Sequence, residues 1–167
     1  MNLGPTGRFV AWALLAIVVL GGACVLLGPF GGNSKEAAKR FACLSNVKQL
    51  TVAMNLYAEK FDGRYPTPSW WPQLKLTVKN EGLLTCPQMY TEKKRNGYAM
   101  YLALVGLRAA DFKDPAKEIL IFETAALGEG VVANLAAMVG ERHNGGSNLG
   151  FADGHAKFRK AVPLEAR

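Results

Sequence analysis

FVAWALLAIVVLGGACVLL (residues 9–27) and NSKEAAKRFACLSNVKQLTVAMNLYAEKF (residues 33–61) decide how this chain folds. The first stretch carries no charged side chain. At about 1.5 Å of helix rise per residue it spans the roughly 30 Å of bilayer hydrocarbon. In the second, Cys43, Val47, Leu50, Met54, Tyr57 and Phe61 recur at alternating spacings of four and three. That period puts all six on one helical face and turns Ser45, Lys48, Gln49, Asn55 and Glu59 away from it. The expectation is a membrane anchor over residues 9–30, after a short leader at 1–8. An amphipathic helix over 33–62 then buries one side against everything downstream.

Gly28, Pro29, Gly31 and Gly32 weaken helix propensity between the two stretches. Asn33, with Glu36 three residues on, reads as a fresh N-cap and capping box. Asp62-Gly63 ends the helix in a turn. Residues 64–88 are rich in Pro and Trp and read as an extended wrap, with Trp70 and Trp71 covering an edge of the core rather than forming a ligand platform. A short helical turn is expected at Trp71–Leu74. Tyr98–Val105 (YAMYLALV) and Glu118–Glu123 (EILIFE) are apolar runs bounded by turn residues, consistent with strands. Val131–Val139 fits strand or helix equally. Ser147–Phe151 alternates as a strand, Asp153-Gly154 signals a two-residue hairpin turn, and Ala156–Phe158 returns as its partner. Residues 63–160 are thus expected to form a loop region and a small antiparallel sheet, with a tail at 161–167. The class is α+β.

The formal net charge is +7, and Arg8 is the only charged side chain before Lys35. The basic residues are scattered, with one dense cluster at Lys93-Lys94-Arg95, so specific nucleic-acid binding is not predicted. Of the three cysteines, Cys24 lies in the apolar run, whereas Cys43 and Cys86 fall in the region after it. Outside the cytoplasm the latter two are natural disulfide partners; two separate buried thiols are the other reading. Lys35, Lys39 and Arg40 outnumber Arg8, which on a positive-inside count keeps the domain in the cytoplasm. That rule is weakest for long translocated domains, and the cysteines favour the outside.

His143, Ser147, Asp153 and His155 invite a catalytic reading, but no nucleophile elbow or oxyanion loop accompanies them, so no catalytic residue and no enzymatic activity are expected. A metal site drawn from His143, Asn148 and Asp153 matches no zinc or calcium spacing, so neither metal nor cofactor is expected. His143 is expected instead to tie its turn to the hairpin by a side-chain hydrogen bond. There is no phosphate loop and no dinucleotide fingerprint.

His143, nine residues, then Asp153-Gly154, with Asn144-Gly145-Gly146 inside, resembles the C-terminal signature of the prepilin-type processing-associated His-x(9)-Asp-Gly family. Cys43–Leu50, Tyr57-Ala58, Asp62–Pro66, Cys86-Pro87, Gly97-Tyr98 and Asp114-Pro115-Ala116 add similar pieces in the same order. The resemblance runs from about Pro29 to Phe158. It implies a type IV pilin-like fold, related to the pseudopilins of type II secretion, in which an N-terminal helix anchors in the bacterial inner membrane. The N-terminus is then cytoplasmic and the sheet domain extracytoplasmic, and the partners are the lipid bilayer and other pilin-like or secretion-system subunits. Its structural residues would be Cys43 and Cys86 as a bridge, and His143, Asn144, Gly145, Asp153 and Gly154 around the hairpin. The family's cleavage position falls on Gly7, but Arg8 replaces the family's Phe and Trp12 its Glu. That degenerate motif opens an alternative, a stand-alone anchored binding domain that does not polymerise.

Overall fold

The computed structural model describes residues 9–10, 12–19, 31–92, 97–126, 128–139 and 142–160. The chain divides into compact units at residues 1–36 and 37–167. In the first, residues 9–10 and 12–19 are helical with exposed side chains. Among the described residues no helix is long and apolar enough to cross a membrane. The rest of the expected span, residues 11 and 20–30, the cleavage position Gly7 and the 161–167 tail lie outside the described residues.

The long helix α1 (Gly31–Lys60) is followed by the short α2 (Trp70–Leu74) and by strands β1 (Tyr98–Tyr101), β2 (Ile119–Glu123), β3 (Val132–Ala133), β4 (Gly146–Phe151) and β5 (Ala156–Lys160). The class is α+β, and the described strands form one five-stranded sheet in the order β3-β1-β2-β4-β5. The expectation of an antiparallel sheet is corrected at one edge. β1 pairs with β2, β2 with β4 and β4 with β5 in antiparallel fashion, but β1 and β3 run parallel, Met100 opposite Val132. The ambiguous 131–139 segment supplies that edge strand, then a 3-10 turn at Leu135–Ala137, and crosses the sheet face opposite α1.

α1 already holds at Gly31, so Asn33 lies inside the helix and is not its cap. Its buried face also departs from the strict four–three reading. Cys43, Val47, Leu50 and Met54 are fully buried, but the face continues through Thr51 and Ala58, while Tyr57 is half-buried and Phe61 exposed. Small residues win this end because the hairpin comes close to the helix, and Tyr57 and Phe61 stack on each other instead, ring centres 4.2 Å apart. Trp70 and Trp71 are buried, Trp70 donating its indole N–H to the Val131 carbonyl at 2.9 Å. They sit on α2 rather than on an extended wrap. The first expected strand is also shorter than its apolar run, since Leu102–Leu104 turn into a 3-10 helix.

Both sheet faces are covered. Leu120 and Ile121 pack with the α1 side, whereas Ile119, Phe122, Leu149 and Phe151 pack with the other. Neighbours Leu120 and Ile121 share a face because the β2–β4 register slips between Ile119 and Ile121, which breaks the alternation of side chains along the strand. β2 is consequently buried along its whole length, Glu123 included.

Gly150 sets how closely α1 approaches. A methyl group there would overlap Thr51 Oγ1 and stand 3.1 Å from Val47 Cγ1. Thr51 cannot swing away freely, because its hydroxyl donates to the Val47 carbonyl at 2.8 Å. Gly150→Ala is therefore expected to cost about 1–3 kcal/mol, the usual range for overpacking a close-packed interior. Adding Thr51→Ala should recover part of it. Denaturant midpoints across that double-mutant cycle check the contact; equal costs with and without Thr51 would show that the helix does not press here.

Candidate functional site

The described residues bring one set of chemically active side chains together in the interior. Cys43 comes from the buried face of α1, Cys86 from the Thr85-Cys86-Pro87 segment between two 3-10 turns, Glu123 from the end of β2, and His143 from the turn before β4. All four residues are fully buried. Cys43 and Cys86 are joined by a disulfide closing a sequence separation of 43. On the chain-entropy account such a loop stabilises by about 4 kcal/mol. Cys86 Sγ stands 3.8 Å from His143 Nε2 and 4.0 Å from Glu123 Oε1.

Glu123 is the hub. Its Oε1 lies 2.8 Å from His143 Nε2 and accepts from the Asn148 side-chain amide at 3.3 Å. Its Oε2 accepts from the Asn148 backbone N–H at 2.7 Å and from the Ser147 hydroxyl at 3.3 Å. A carboxylate removed from water needs such partners, because desolvating it uncompensated costs several kcal/mol. The β2–β4 pairing provides them: Phe122 opposes Leu149, so the next residue on each strand is Glu123 on one and Asn148 on the other.

A shell of polar contacts closes round the cluster. Asn148 also donates to the Arg40 carbonyl at 3.4 Å, and Asn46 donates to the Thr85 carbonyl at 3.2 Å and to the Tyr98 hydroxyl at 3.4 Å. Arg142 donates to the Gly97 carbonyl at 2.9 Å and also to the Thr124 carbonyl. Burial lowers the Arg142 guanidinium below its ordinary value, with Glu123 pulling the other way. Burial also raises the Tyr98 phenol, and the charge of Glu123 adds to the rise. A side chain at position 97 is excluded by space, since its Cβ would lie 2.9 Å from Cys86 Cβ and 3.1 Å from Arg142 Nη1.

The motif residues divide between the two ends of β4. At one end Asn144 and Gly145 both adopt left-handed backbone (φ 56° and 85°), and the His143 N–H donates to the Gly146 carbonyl at 3.3 Å. At the other end the hairpin loop has three residues, Ala152-Asp153-Gly154, instead of the expected two. The Gly154 N–H donates to the Phe151 carbonyl, the Phe151 N–H to the His155 carbonyl, and Gly154 takes φ 88°. The expectation that His143 ties its turn to this hairpin is corrected: the imidazole goes to Glu123, and Asp153 pairs with His155. A shared site for His143, Asn148 and Asp153 is therefore not formed. The nine residues between His143 and Asp153 are the turn and the strand that hold the two apart.

The hairpin tip has its own anchoring. The Asn55 amide donates to the Ala152 carbonyl at 3.0 Å, the Tyr65 hydroxyl donates to Asn55 at 3.1 Å, and Lys48 reaches the Gly154 carbonyl. Burial pushes the Tyr65 phenol up to about 12. The Asp153 N–H donates to the Pro115 carbonyl at 3.2 Å, which brings the Asp114-Pro115 turn to the same place.

Sequence reading singled out Cys43, Cys86 and His143 but missed Glu123, although an acid ending an apolar strand was a visible signal. None of the family models, curated proteins or solved structures compared with the chain matches it.

Glu123→Ala and His143→Ala are each expected to cost about 3–5 kcal/mol by stranding a buried partner. The double variant should fall short of their sum by about 1–3 kcal/mol, the coupling of a contacting pair. Urea unfolding of the four proteins measures it, and additive costs would refute the pairing. Asp153 is held below the usual carboxylate range, first by the His155 backbone N–H. Its contribution to stability is then present above about pH 4 and lost as pH falls through the depressed folded value. In this largely exposed position it amounts to a few tenths of a kcal/mol. Asp153→Asn should flatten the acid limb of a stability–pH curve; an unchanged slope below pH 4 would contradict the assignment.

Proposed function

We propose that this chain is a membrane-anchored, non-enzymatic pilin-like or pseudopilin-like structural subunit, its sheet domain on the outer side of a bacterial inner membrane, in a type II secretion or type IV pilus-related system. The observation that carries the reading is the way α1 lies on the sheet while the His-x(9)-Asp-Gly element forms β4 and both of its ends. One face of the helix is committed to the core. On the other, Phe41, Val52 and Leu56 fall within a narrow arc of the helix and stay exposed at 59%, 39% and 40%. Set among the exposed Ser45, Lys48 and Glu59 on the same side, these apolar side chains suit contact with a neighbouring subunit's helix. The charge-free run at residues 9–27 supports the anchor, and the disulfide supports an oxidising compartment.

A second reading, a stand-alone anchored binding domain, draws on Arg8 and Trp12 in the degenerate cleavage motif and on a small pocket lined by Trp71, Glu81, Gly82, Leu84, Thr85 and Glu129.

A photo-crosslinker placed at Leu56 in membranes, with Lys113 as a control position, separates the two when combined with mass spectrometry of the mature N-terminus. The subunit reading expects the protein in the membrane fraction and a crosslink at Leu56 to a second pilin-like chain. An intact Met1 on a protein that stays strictly monomeric would favour the binding domain. A freely soluble full-length protein would contradict both.

A further inference from the structure

We propose that the cluster of Cys43, Cys86, Glu123 and His143 is a redox-gated site for a thiolate-preferring divalent cation, with zinc as the ion it fits best. The four ligand atoms, two Sγ, one carboxylate oxygen and one imidazole nitrogen, lie within 4.8 Å of one another and are fully buried. Two thiolates with one nitrogen and one oxygen are the donor types that select zinc over calcium or magnesium, which take oxygen alone. Around a tetrahedral zinc, sulfur stands about 3.5 Å from a neighbouring nitrogen or oxygen ligand, as follows from bond lengths of about 2.3 and 2.0–2.1 Å. Cys86 Sγ already stands 3.8 Å from His143 Nε2 and 4.0 Å from Glu123 Oε1. The remaining adjustments are local: the two sulfurs part once their bond is broken, and the 2.8 Å His143–Glu123 contact opens by about half an ångström.

The outer contacts also suit a metal site. Glu123 is oriented by both nitrogens of Asn148 and by the Ser147 hydroxyl. Hydrogen bonds of this kind hold ligating carboxylates in register. The ligands come from α1, the 85–87 segment, the end of β2 and the turn before β4, so the folded domain assembles them in advance. A zinc ion bound by two thiolates and a carboxylate leaves one negative charge, with the Arg142 guanidinium close enough to interact with Glu123.

A dithiol reductant attacks the disulfide, its two thiols become a disulfide, and Cys43 and Cys86 become thiols. The divalent ion then takes both sulfurs as thiolates and releases two protons, while His143 Nε2 supplies a lone pair with its ring proton on Nδ1. In the reverse direction a disulfide oxidant takes the two electrons and becomes two thiolates, while Cys43 and Cys86 re-form their sulfur–sulfur bond and the ion is released. The domain thus has two ways to hold α1 to the Cys86 segment, one for each redox environment.

The test is metal binding by the full-length protein in detergent, oxidised and after reduction by a non-chelating phosphine, using cobalt(II) and zinc(II) as the probes. The reduced wild type is expected to bind one ion per chain and to show thiolate-to-cobalt charge-transfer and tetrahedral d–d bands that zinc bleaches. The oxidised protein should bind none. Cys43→Ser, which cannot form the disulfide, should lose about half the charge-transfer intensity, and His143→Ala should weaken zinc binding at least 10-fold. Circular dichroism reports folding in each sample. Stoichiometric binding by the oxidised protein overturns the proposal. So does a reduced, folded protein without a bound ion, a reduced protein that unfolds and is not refolded by zinc, or a folded His143→Ala variant with unchanged affinity.

Discussion

A carboxylate deprived of water organises this domain. Glu123 ends a strand buried on both faces, and no charge can remain there without partners from every direction. Those partners come from one short stretch of the chain: the His143 ring before β4, and Ser147 and Asn148 within it. Asn148 in turn reaches the Arg40 carbonyl of α1, and the disulfide ties the same helix to the segment beside the imidazole. Satisfying one acid therefore fixes the register of β4 on β2 and the seat of the helix together. A strand slip by one residue would remove the Asn148 backbone donor and turn its neighbours to the other face.

Close packing does the complementary work further along β4. Gly150 admits Thr51 and Val47 of α1, and the hairpin beyond it accepts hydrogen bonds from Lys48 and Asn55. The helix is thus held at both ends of one strand, by the polar cluster near Cys43 and by backbone contacts near Asn55. β5, the outer strand of this pair, carries Lys157, Arg159 and Lys160, charges that discourage a further strand from adding to that edge. Part of the basic excess of the composition thus has a local structural role at this sheet edge.

The helix, its Cys43–Met54 face and the main strands were legible because hydrophobic period is a local property. Where the reading missed, a tertiary contact had overridden that period. Phe61 continues the spacing but is exposed, because the hairpin tip and Tyr65 crowd the end of the helix and favour small Ala58. The parallel β1–β3 pair was invisible because β3 is two residues long and its pairing is set by a chain reversal through Gly128 and Gly130. Neither Leu120 nor Ile121 signals the slip that gives them a common face. His143 and Asp153 were read as one unit because they share a sequence motif, whereas in space a strand separates them. Glu123 was the costliest omission: EILIFE announces a buried strand, and a charged residue inside such a run demands a counterpart elsewhere in the chain.

Native-state hydrogen exchange on the oxidised full-length protein tests the central claim, that the Glu123 cluster makes helix and sheet one cooperative unit. Amides of α1 from Cys43 to Met54 and those of β2 and β4 should share a common opening free energy, and Glu123→Ala should lower all of them together. Helix amides that exchange far faster than the sheet in the intact protein, or a Glu123→Ala effect confined to β2, would contradict it.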